Sequence, residues 1–299
     1  MNGSPARKLL VLVGSTGSGK SETAIRLAQA LDGEIISADS RYLYRGLNIG
    51  TAKPTPDELT RVPHHLINVT TLYNPWSLGV YQKVAHHLIQ QINLRGHLPI
   101  LAGGTGQYVR ALTEQWEIPA QAPEHQLRDA IALWGQRIGF DALYQRLARL
   151  DPEAAQFIDY RNKRRTIRAL EVIFSTGQRF SDQRKKSVSP YQQLIIGIAW
   201  PRELLYERID ARIDAMFAAG LVGEVQGLVD VGYAEALKRM GIIGYSEVLQ
   251  YLEGMCSLEE AKEMIKHNTR VFVRRQANWF KANDPKIHWF NATDPAMLE

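Results

Sequence analysis

Short apolar runs alternate with amphipathic segments through the first part of the chain. The runs have the length of buried strands and lie at residues 9–13, 34–38, 66–69 and 98–102. After the first run, apolar residues recur at helical spacing, at Ala24, Leu27, Ala28 and Leu31. Continuous apolar strands separated by helices are typical of a parallel sheet covered on both faces. The pattern therefore predicts an α/β fold for this region.

The alternation stops near residue 117. Three amphipathic helical stretches follow one another, at residues 124–138, 140–150 and 162–175. A change from mixed to purely helical periodicity indicates an inserted domain. We therefore predict a core formed by residues 1–116 and 191–299 and an all-helical insertion domain formed by residues 117–190.

The mixed pattern returns after the insertion. Residues 194–199 are predicted to form a strand, residues 203–218 a helix, and residues 286–291 a last strand. Ser257, followed three residues later by Glu260, is a capping-box pattern that predicts the start of another long helix. The last third of the chain is therefore expected to complete the core.

A glycine-rich loop joins the first predicted strand to the first predicted helix. It reads Gly14, Ser15, Thr16, Gly17, Ser18, Gly19, Lys20, Ser21. In a loop of this spacing, backbone N–H groups surround a phosphate, the lysine adds a point charge and the serine hydroxyl can bind Mg²⁺. We therefore predict a polyphosphate site with Mg²⁺ at Ser21, on a P-loop NTPase-like parallel sheet core flanked by helices.

Two further strand ends are predicted to lie beside this loop, because ligands of open parallel sheets bind at the carboxyl ends of the strands. Asp39 and Ser40 follow the second strand, and Thr105 lies in the turn after the strand at 98–102. Asp39 can act there as a base, as a second-sphere magnesium ligand or as a helix N-cap. The residues alone leave these roles open.

Basic residues concentrate in the predicted insertion, in a chain whose net charge is +5. They open the helix at 162–175 and continue after it, as Lys163, Arg164, Arg165, Arg168, Arg184, Lys185 and Lys186. A solvated helix face is the usual explanation of such a cluster. Because few acids dilute these cations, a contact with a nucleic-acid backbone is the better interpretation.

Arg208 and Arg212 are four residues apart on a predicted helix, so both side chains project from one face. They can bind phosphate together. They can equally form ion pairs with acids of the same helix, namely Glu203, Glu207 and Asp210.

Composition indicates the class of protein and its expected cellular compartment. The 299 residues are 45% hydrophobic, as expected of a folded globular protein. The single cysteine, Cys256, excludes an internal disulfide framework and a cysteine-cluster metal site. No apolar run reaches membrane-spanning length, and residues 1–8 lack the apolar stretch of a secretory signal. We expect a monomeric, cytoplasmic protein that does not associate with a membrane.

Taken in order, the motifs of this chain resemble those of the bacterial tRNA dimethylallyltransferases, also called tRNA isopentenyltransferases. They are GSTGSGKS at 14–21, SADS at 37–40, YRGLNIGTAKP at 44–54, GGTG at 103–106, RALEV at 168–172, ERIDARID at 207–214, IGY at 243–245 and RRQ at 274–276. The match runs nearly end to end. The order of motifs after Asp39 is far more specific than a phosphate loop alone.

The resemblance implies a reaction. In this family, N6 of adenosine 37, 3′ of the anticodon in tRNAs that read codons starting with U, attacks dimethylallyl diphosphate, and diphosphate leaves. Lys20, Arg212 and Mg²⁺ near Ser21 would neutralise the leaving group. Asp39 would accept the N6 proton, and Thr105 would help to position the reacting groups. The adenine would be flipped out of its stack into a channel.

The resemblance also implies a contact surface for the tRNA anticodon arm. Its residues would be Asp39, Ser40, Arg41, Tyr42, Thr105, Arg128, Lys163, Arg164, Arg165, Thr166, Ile167, Arg168, Gly241, Ile242, Ile243, Gly244, Tyr245, Arg274 and Arg275. The chain departs from the family where Tyr42 replaces a frequent glutamine, where Asn162 and Lys163 replace Asp-Pro, and where Ser246 replaces a basic residue. We expect these departures to alter RNA readout, with Tyr42 able to stack on a base.

Other functions explain parts of the sequence. A small-molecule P-loop kinase would account for the loop and Asp39 but would leave the basic insertion without a role. An adenylate isopentenyltransferase would share the core and act on free nucleotide. A non-catalytic RNA-binding module would not need Asp39. Transfer of a dimethylallyl group to tRNA is the hypothesis that accounts for all the motifs.

Overall fold

The computed structural model describes residues 7–118, 124–182 and 189–294. The chain divides into two compact units. The core unit consists of Met1–Trp76, Gln82–Thr113 and Pro190–Glu299, and the helical unit of Ser77–Tyr81 and Glu114–Ser189. The basic triplet predicted at residues 184–186 lies outside the described residues.

The core unit is built on a six-stranded sheet. Its strands are β1 (Arg7–Gly14), β2 (Gly33–Ser37), β3 (His64–His65), β4 (Leu98–Ala102), β5 (Tyr191–Ala199) and β6 (Ile287–Asn291). Their order is β3-β2-β4-β1-β5-β6, and every neighbouring pair is parallel. The predicted parallel sheet is therefore confirmed, and β1 is central because its apolar residues are buried on both faces.

Within residues 7–118, four helices precede the insertion or lead into it. They are α1 (Lys20–Ala30), α2 (Pro56–Arg61), α3 (Leu78–Leu94) and α4 (Gly106–Thr113). The strand predicted at 66–69 is wrong, because the strand here ends at His65. Leu66 and Asn68 have φ angles of 63° and 57°. These left-handed conformations cannot continue an extended ladder.

The helical unit contains α5 (His125–Ile138), α6 (Phe140–Leu150), α7 (Pro152–Phe157) and α8 (Lys163–Thr176). Its core includes Ile131, Leu143, Leu147 and Leu170. Three of the helices were predicted and are confirmed, whereas α7 is too short to show a periodic pattern. The sequence does carry a signal for the start of α7, because Pro152 follows Asp151. The Asp151 side chain caps the helix by accepting a hydrogen bond from the Ala154 N–H.

Between residues 189 and 294, the structure describes five helices after the insertion. They are α9 (Arg202–Ala218), α10 (Leu221–Asp230), α11 (Ala234–Met240), α12 (Tyr245–Leu252) and α13 (Leu258–Ala277). The predicted capping box of α13 is confirmed, because Ser257 and Glu260 exchange hydrogen bonds. Among the residues that the structure describes, no helix combines the length and the apolar character needed to cross a bilayer.

Candidate active site

The glycine-rich loop links β1 directly to α1. Gly17 and Gly19 have φ angles of 82° and 90°, a left-handed conformation that favours glycine. Gly19 is the N-cap residue of α1, and the Ser18 N–H donates to the Ser15 carbonyl at 3.2 Å. The predicted strand, loop and helix are therefore confirmed, and the positive end of the α1 dipole faces the loop.

Lys20 lies across this loop. Its ammonium donates to the Ser15 carbonyl at 2.6 Å and to the Ser18 hydroxyl at 3.4 Å. Burial lowers the pKa of Lys20 to about 8, while the negative charge of Asp39 opposes the fall and the positive charge of Arg212 adds to it. Lys20, Asp39 and Arg212 therefore lie within electrostatic range of one another.

Gln276 holds the other side of the loop. Its side-chain oxygen accepts a hydrogen bond from the Thr16 N–H at 2.8 Å, and its amide donates to the Gly104 carbonyl at 3.0 Å. The side chain is buried. One residue of α13 thus ties together the turns that follow β1 and β4. Gln276 is the last residue of the RRQ motif at 274–276, whose spacing does not indicate this role.

The turns after β2 and β4 are bonded to each other. The Ser40 N–H donates to the Thr105 hydroxyl oxygen at 3.0 Å, and the Thr105 N–H donates to the Ala38 carbonyl at 3.1 Å. A Cβ atom at Gly103 would lie only 2.3 Å from the Ala38 backbone, so glycine is needed at this close approach. The predicted convergence of these strand ends is confirmed.

Asp39 does not cap a helix, because the next helix along the described chain begins at Pro56 and is capped by Thr55. Its carboxylate instead accepts the Arg41 N–H at 2.9 Å. The charge of Asp39 opposes the burial-driven fall in the pKa of Lys53, as it does for Lys20. Two ammonium groups thus lie within electrostatic range of this one carboxylate.

Tyr42 lies beside this carboxylate. Burial raises the pKa of Tyr42 to about 12, Asp39 adds to the rise, and Arg212 and the Ser21 hydroxyl oppose it. The phenol donates a hydrogen bond to the Ala52 carbonyl at 2.8 Å. In this structure Tyr42 is therefore a neutral donor whose hydroxyl holds backbone next to the phosphate loop, and stacking of its ring on a base stays a prediction.

The two arginines predicted to flank the phosphate site both reach its surroundings. Arg212 donates to the Thr51 carbonyl at 3.1 Å, and Arg208 donates to the Gly17 carbonyl at 3.2 Å while its guanidinium lies 4.2 Å from the centre of the Trp200 ring. Asp210, one of the acids considered as a partner, forms an ion pair with Arg270. Arg212 also acts electrostatically on Lys20, as expected of a second cation for one anion.

The surroundings of Ser21 fit a magnesium ion that takes most of its ligands from a diphosphate and water. Ser21 is exposed in the first turn of α1. Within the described part of the chain, no group of three or more histidine, cysteine, aspartate or glutamate side chains could hold a metal. A dedicated all-protein cage is therefore absent from these residues, whereas a hydroxyl beside a phosphate loop is present.

The start of α8 carries exposed cations. Lys163, Arg164 and Arg165 are all exposed in its first turn. The Lys163 ammonium lies 4.4 Å from the centre of the Phe140 ring, and the Arg165 guanidinium lies 5.9 Å from that of Phe157. Exposed cations supported by aromatic rings suit the predicted contacts with RNA phosphates.

Four neighbouring residues predicted to contact RNA are engaged inside the helical unit. Arg128 and Arg168 both form ion pairs with Glu171, at 2.8 and 3.0 Å, and that carboxylate is 1% exposed. The side chains of Thr166 and Ile167 are buried. We therefore correct the prediction for the buried side chains of Thr166 and Ile167, which belong to the packing of the unit. Arg128 and Arg168 pair with Glu171 but are partly exposed, so an RNA contact by these two arginines stays a prediction.

The segment Gly241 to Tyr245 is similarly divided. Gly241 is exposed and Ile243 is half-buried, whereas Ile242, Gly244 and Tyr245 are buried. Tyr245 is fully buried, so the prediction that its side chain contacts RNA is also corrected. Arg274 and Arg275, at the end of α13, are exposed. The Arg274 guanidinium donates to the Tyr206 hydroxyl at 3.5 Å.

Comparisons with known proteins give this geometry a context. A model of the family described as IPP transferase matches residues 42–283, and one described as isopentenyl transferase matches residues 7–75. A tRNA dimethylallyltransferase of Roseiflexus sp. is 47% identical, over 91% of this chain and 90% of its own.

Solved structures agree with this result. The tRNA isopentenylpyrophosphate transferase of Bacillus halodurans is 39% identical with a TM-score of 0.70, and the match covers 96% of this chain and 90% of that one. A eukaryotic dimethylallyltransferase acting on tRNA is 28% identical with a TM-score of 0.82, over 96% of this chain and 74% of that one. Sequence and fold therefore point to the same group of enzymes.

Proposed function

This chain belongs to the IPP transferase family, and from that membership we propose that it transfers a dimethylallyl group from dimethylallyl diphosphate to tRNA. The acceptor is N6 of adenosine 37, and diphosphate is released. The observation that carries the proposal is the Lys20 ammonium bonded across the glycine-rich loop, with Asp39 and Arg212 within electrostatic range of it. One site thus combines a proton acceptor with two cations suited to a leaving diphosphate.

The reaction needs one bond to form and one to break. The N6 lone pair attacks C1 of the allyl group, the C1–O bond breaks, and its electron pair leaves with the diphosphate. Asp39 accepts the proton from N6, so the product amine is neutral. Lys20 and Arg212, with the backbone N–H groups of the loop, stabilise the negative charge that develops on the leaving oxygen.

Mg²⁺ would be held at Ser21 together with the diphosphate, and it would supply further charge neutralisation there. Tyr42 lies beside Ser21 and donates to the Ala52 carbonyl, so it supports the wall of this site. Thr105 accepts the Ser40 N–H and keeps the Asp39 turn against the turn after β4. These residues prepare the geometry before the substrate arrives.

The exposed cations Lys163, Arg164, Arg165, Arg274 and Arg275 are proposed to bind phosphates of the anticodon arm. Such contacts hold the RNA without reading its sequence. Extrusion of the adenine into the site would then present its amine to Asp39. We propose that the enzyme acts as a monomer in the cytoplasm.

A mixing assay tests the proposed function. Purified protein is incubated with Mg²⁺, labelled dimethylallyl diphosphate and tRNA, and label in the RNA is measured. We expect transfer to tRNA that has adenosine at position 37 and none to the same tRNA with guanosine there. Labelling of AMP in place of tRNA would identify an adenylate isopentenyltransferase. ATP-dependent phosphorylation of a metabolite without prenyl transfer would identify a kinase.

A further inference from the structure

Glu224, on α10, has an unusual set of partners. One of its carboxylate oxygens accepts the N–H groups of Asn48 at 3.1 Å and Ile49 at 2.9 Å, and the other accepts the Gly50 N–H at 3.2 Å. Successive backbone N–H groups that converge on an anion form a nest. Here the anion in the nest is the Glu224 carboxylate of the same chain. The backbone of residues 48–50 is therefore bonded to α10.

Tyr245 completes this contact. Its buried hydroxyl donates to a Glu224 oxygen at 2.5 Å. A Cβ atom on Gly50 would lie 2.6 Å from the Tyr245 ring and 2.9 Å from Leu221, so the loop packs against both helices without a side chain between them. The loop at residues 48–50 is therefore held in one position by its contacts with α10 and α12.

Lys53 holds the same loop through the opposite charge. Its buried ammonium donates to the Tyr44 carbonyl at 2.7 Å and to the side-chain oxygens of Asn68 at 2.7 Å and Asn48 at 3.2 Å. Residues in this segment lack the hydrogen-bond partners of a helix or sheet. The Glu224 carboxylate and the Lys53 ammonium supply partners for its backbone N–H groups and for one carbonyl group.

The next two residues of the loop, Thr51 and Ala52, contact residues that lie near Lys20 and Ser21. The Thr51 carbonyl accepts a hydrogen bond from Arg212, and the Ala52 carbonyl accepts one from Tyr42. Each acceptor lies within two residues of an N–H group bonded to Glu224. A shift of the Glu224 contact would therefore displace the acceptors that orient Arg212 and Tyr42.

We propose that Glu224 is a positioning residue for the diphosphate site, acting through the loop at residues 48–52 on Arg212 and Tyr42. This inference rests on the proposed function and deepens it. Glu224 touches none of the reacting groups. Its role is to fix the Thr51 and Ala52 carbonyl groups, which hold the Arg212 guanidinium and the Tyr42 phenol beside the glycine-rich loop.

A double-mutant cycle on pyrophosphate binding tests this proposal. Calorimetry with inorganic pyrophosphate and Mg²⁺ compares the wild type with Glu224→Gln, Arg212→Ala and the double variant. In Glu224→Gln the amide group opposes the backbone donors, so we expect affinity to fall about tenfold. In the Arg212→Ala background we expect the same change to cost about twofold or less. Unchanged affinity in Glu224→Gln, or costs that simply add, would overturn the proposal.

Two further variants separate positioning from folding. Glu263→Gln removes an exposed carboxylate that pairs with Lys266 three residues further along α13, and we expect wild-type affinity. Tyr245→Phe removes the phenol group that contacts Glu224 and the backbone of Gly50 and Thr51, and we expect a loss of about threefold in pyrophosphate affinity. If Glu224→Gln does not fold, Tyr245→Phe with its own Arg212→Ala cycle decides the question by the same criteria.

Transfer kinetics provide a readout that reduced folding would not imitate. We expect Glu224→Gln to raise KM for dimethylallyl diphosphate and to lower kcat, with tRNA affinity unchanged. A merely structural role would lower kcat in proportion to the folded fraction and leave KM as it is. If the wild type fails to prenylate tRNA, the proposed function falls. The pyrophosphate cycle still decides the role of Glu224, because it uses neither tRNA nor turnover.

Discussion

The hydroxyl oxygen of Thr105 accepts a hydrogen bond from the Ser40 N–H at 3.0 Å. Together with the Thr105 N–H, which donates to the Ala38 carbonyl at 3.1 Å, it fixes the backbone on both sides of Asp39. Neither bond uses the Asp39 carboxylate. The charge at this position can therefore be removed by substitution while the turn keeps these two contacts.

Replacing Asp39 by asparagine is expected to reduce kcat by roughly 10² to 10⁴, because a general base is lost. The asparagine side chain can still accept the Arg41 N–H, so the turn remains supported. Single-turnover rates with prebound tRNA measure the chemical step, and filter binding measures tRNA affinity, which we expect to stay within about twofold. Asp57→Asn, at an exposed position in α2, serves as the control. A parallel fall in tRNA affinity would count against the role of a base.

Pyrophosphate affinity is expected to fall as pH rises through 8. Burial lowers the pKa of Lys20 to about 8, so its ammonium is charged below this pH and loses its proton above it. Between about pH 8 and pH 9 we expect a loss of about fivefold from this one proton. Titration of pyrophosphate itself is cancelled by comparison with Lys20→Arg, whose guanidinium stays charged over this range. Equal pH profiles for the two proteins would refute the assignment to Lys20.

Arg165→Ala is expected to weaken tRNA binding and to lower the slope of log affinity against log salt by about one. The reason is the loss of one exposed cation from the first turn of α8. Filter binding at several salt concentrations gives the slope, and the rate on bound tRNA should stay unchanged. Arg61→Ala removes an arginine that is paired with Glu22, and we expect its slope to match the wild type. An unaltered slope in Arg165→Ala would assign that residue to structure.

Glu171→Gln is expected to destabilise the helical unit by about 1–3 kcal/mol at neutral pH. Burial alone would raise the pKa of Glu171, but hydrogen bonds from Arg128 and Arg168 outweigh it and hold the pKa below the usual 4.5. The stabilisation by the carboxylate is thus present above pH 4.5 and is lost as pH falls through the lower folded-state value. Calorimetry should find Tm values that differ at neutral pH and converge in acid. A difference that is constant with pH would exclude this ion network as its cause.

The parts of the site that sequence could predict are local in the chain. The glycine spacing of residues 14–21 requires a turn between strand and helix, and parallel strands bring Asp39 and Thr105 to one edge. The pair Arg168 and Glu171 also carries a signal, because residues three apart meet on a helix.

Contacts between distant positions had no such signal. Gln276 bonds to Thr16 across 260 residues, and Glu224 bonds to Asn48 across 176. Arg128 reaches Glu171 only because α5 packs on α8. Whether a charged or aromatic side chain faces water depends on tertiary packing. The spacing of a motif does not indicate which of its side chains will be buried. This is why the motif order predicts an RNA contact for Tyr245 although the structure buries its side chain.

The hydrogen bonds of Gln276 have a consequence for biosynthesis. The glycine-rich loop is translated long before the side chain that holds its Thr16 amide, because that side chain lies in α13. A ribosome must therefore translate a further 260 positions beyond Thr16 before this loop can reach its final form. Nascent chains that stop before α13 would carry the complete phosphate-binding motif and still lack one of the bonds that shape it.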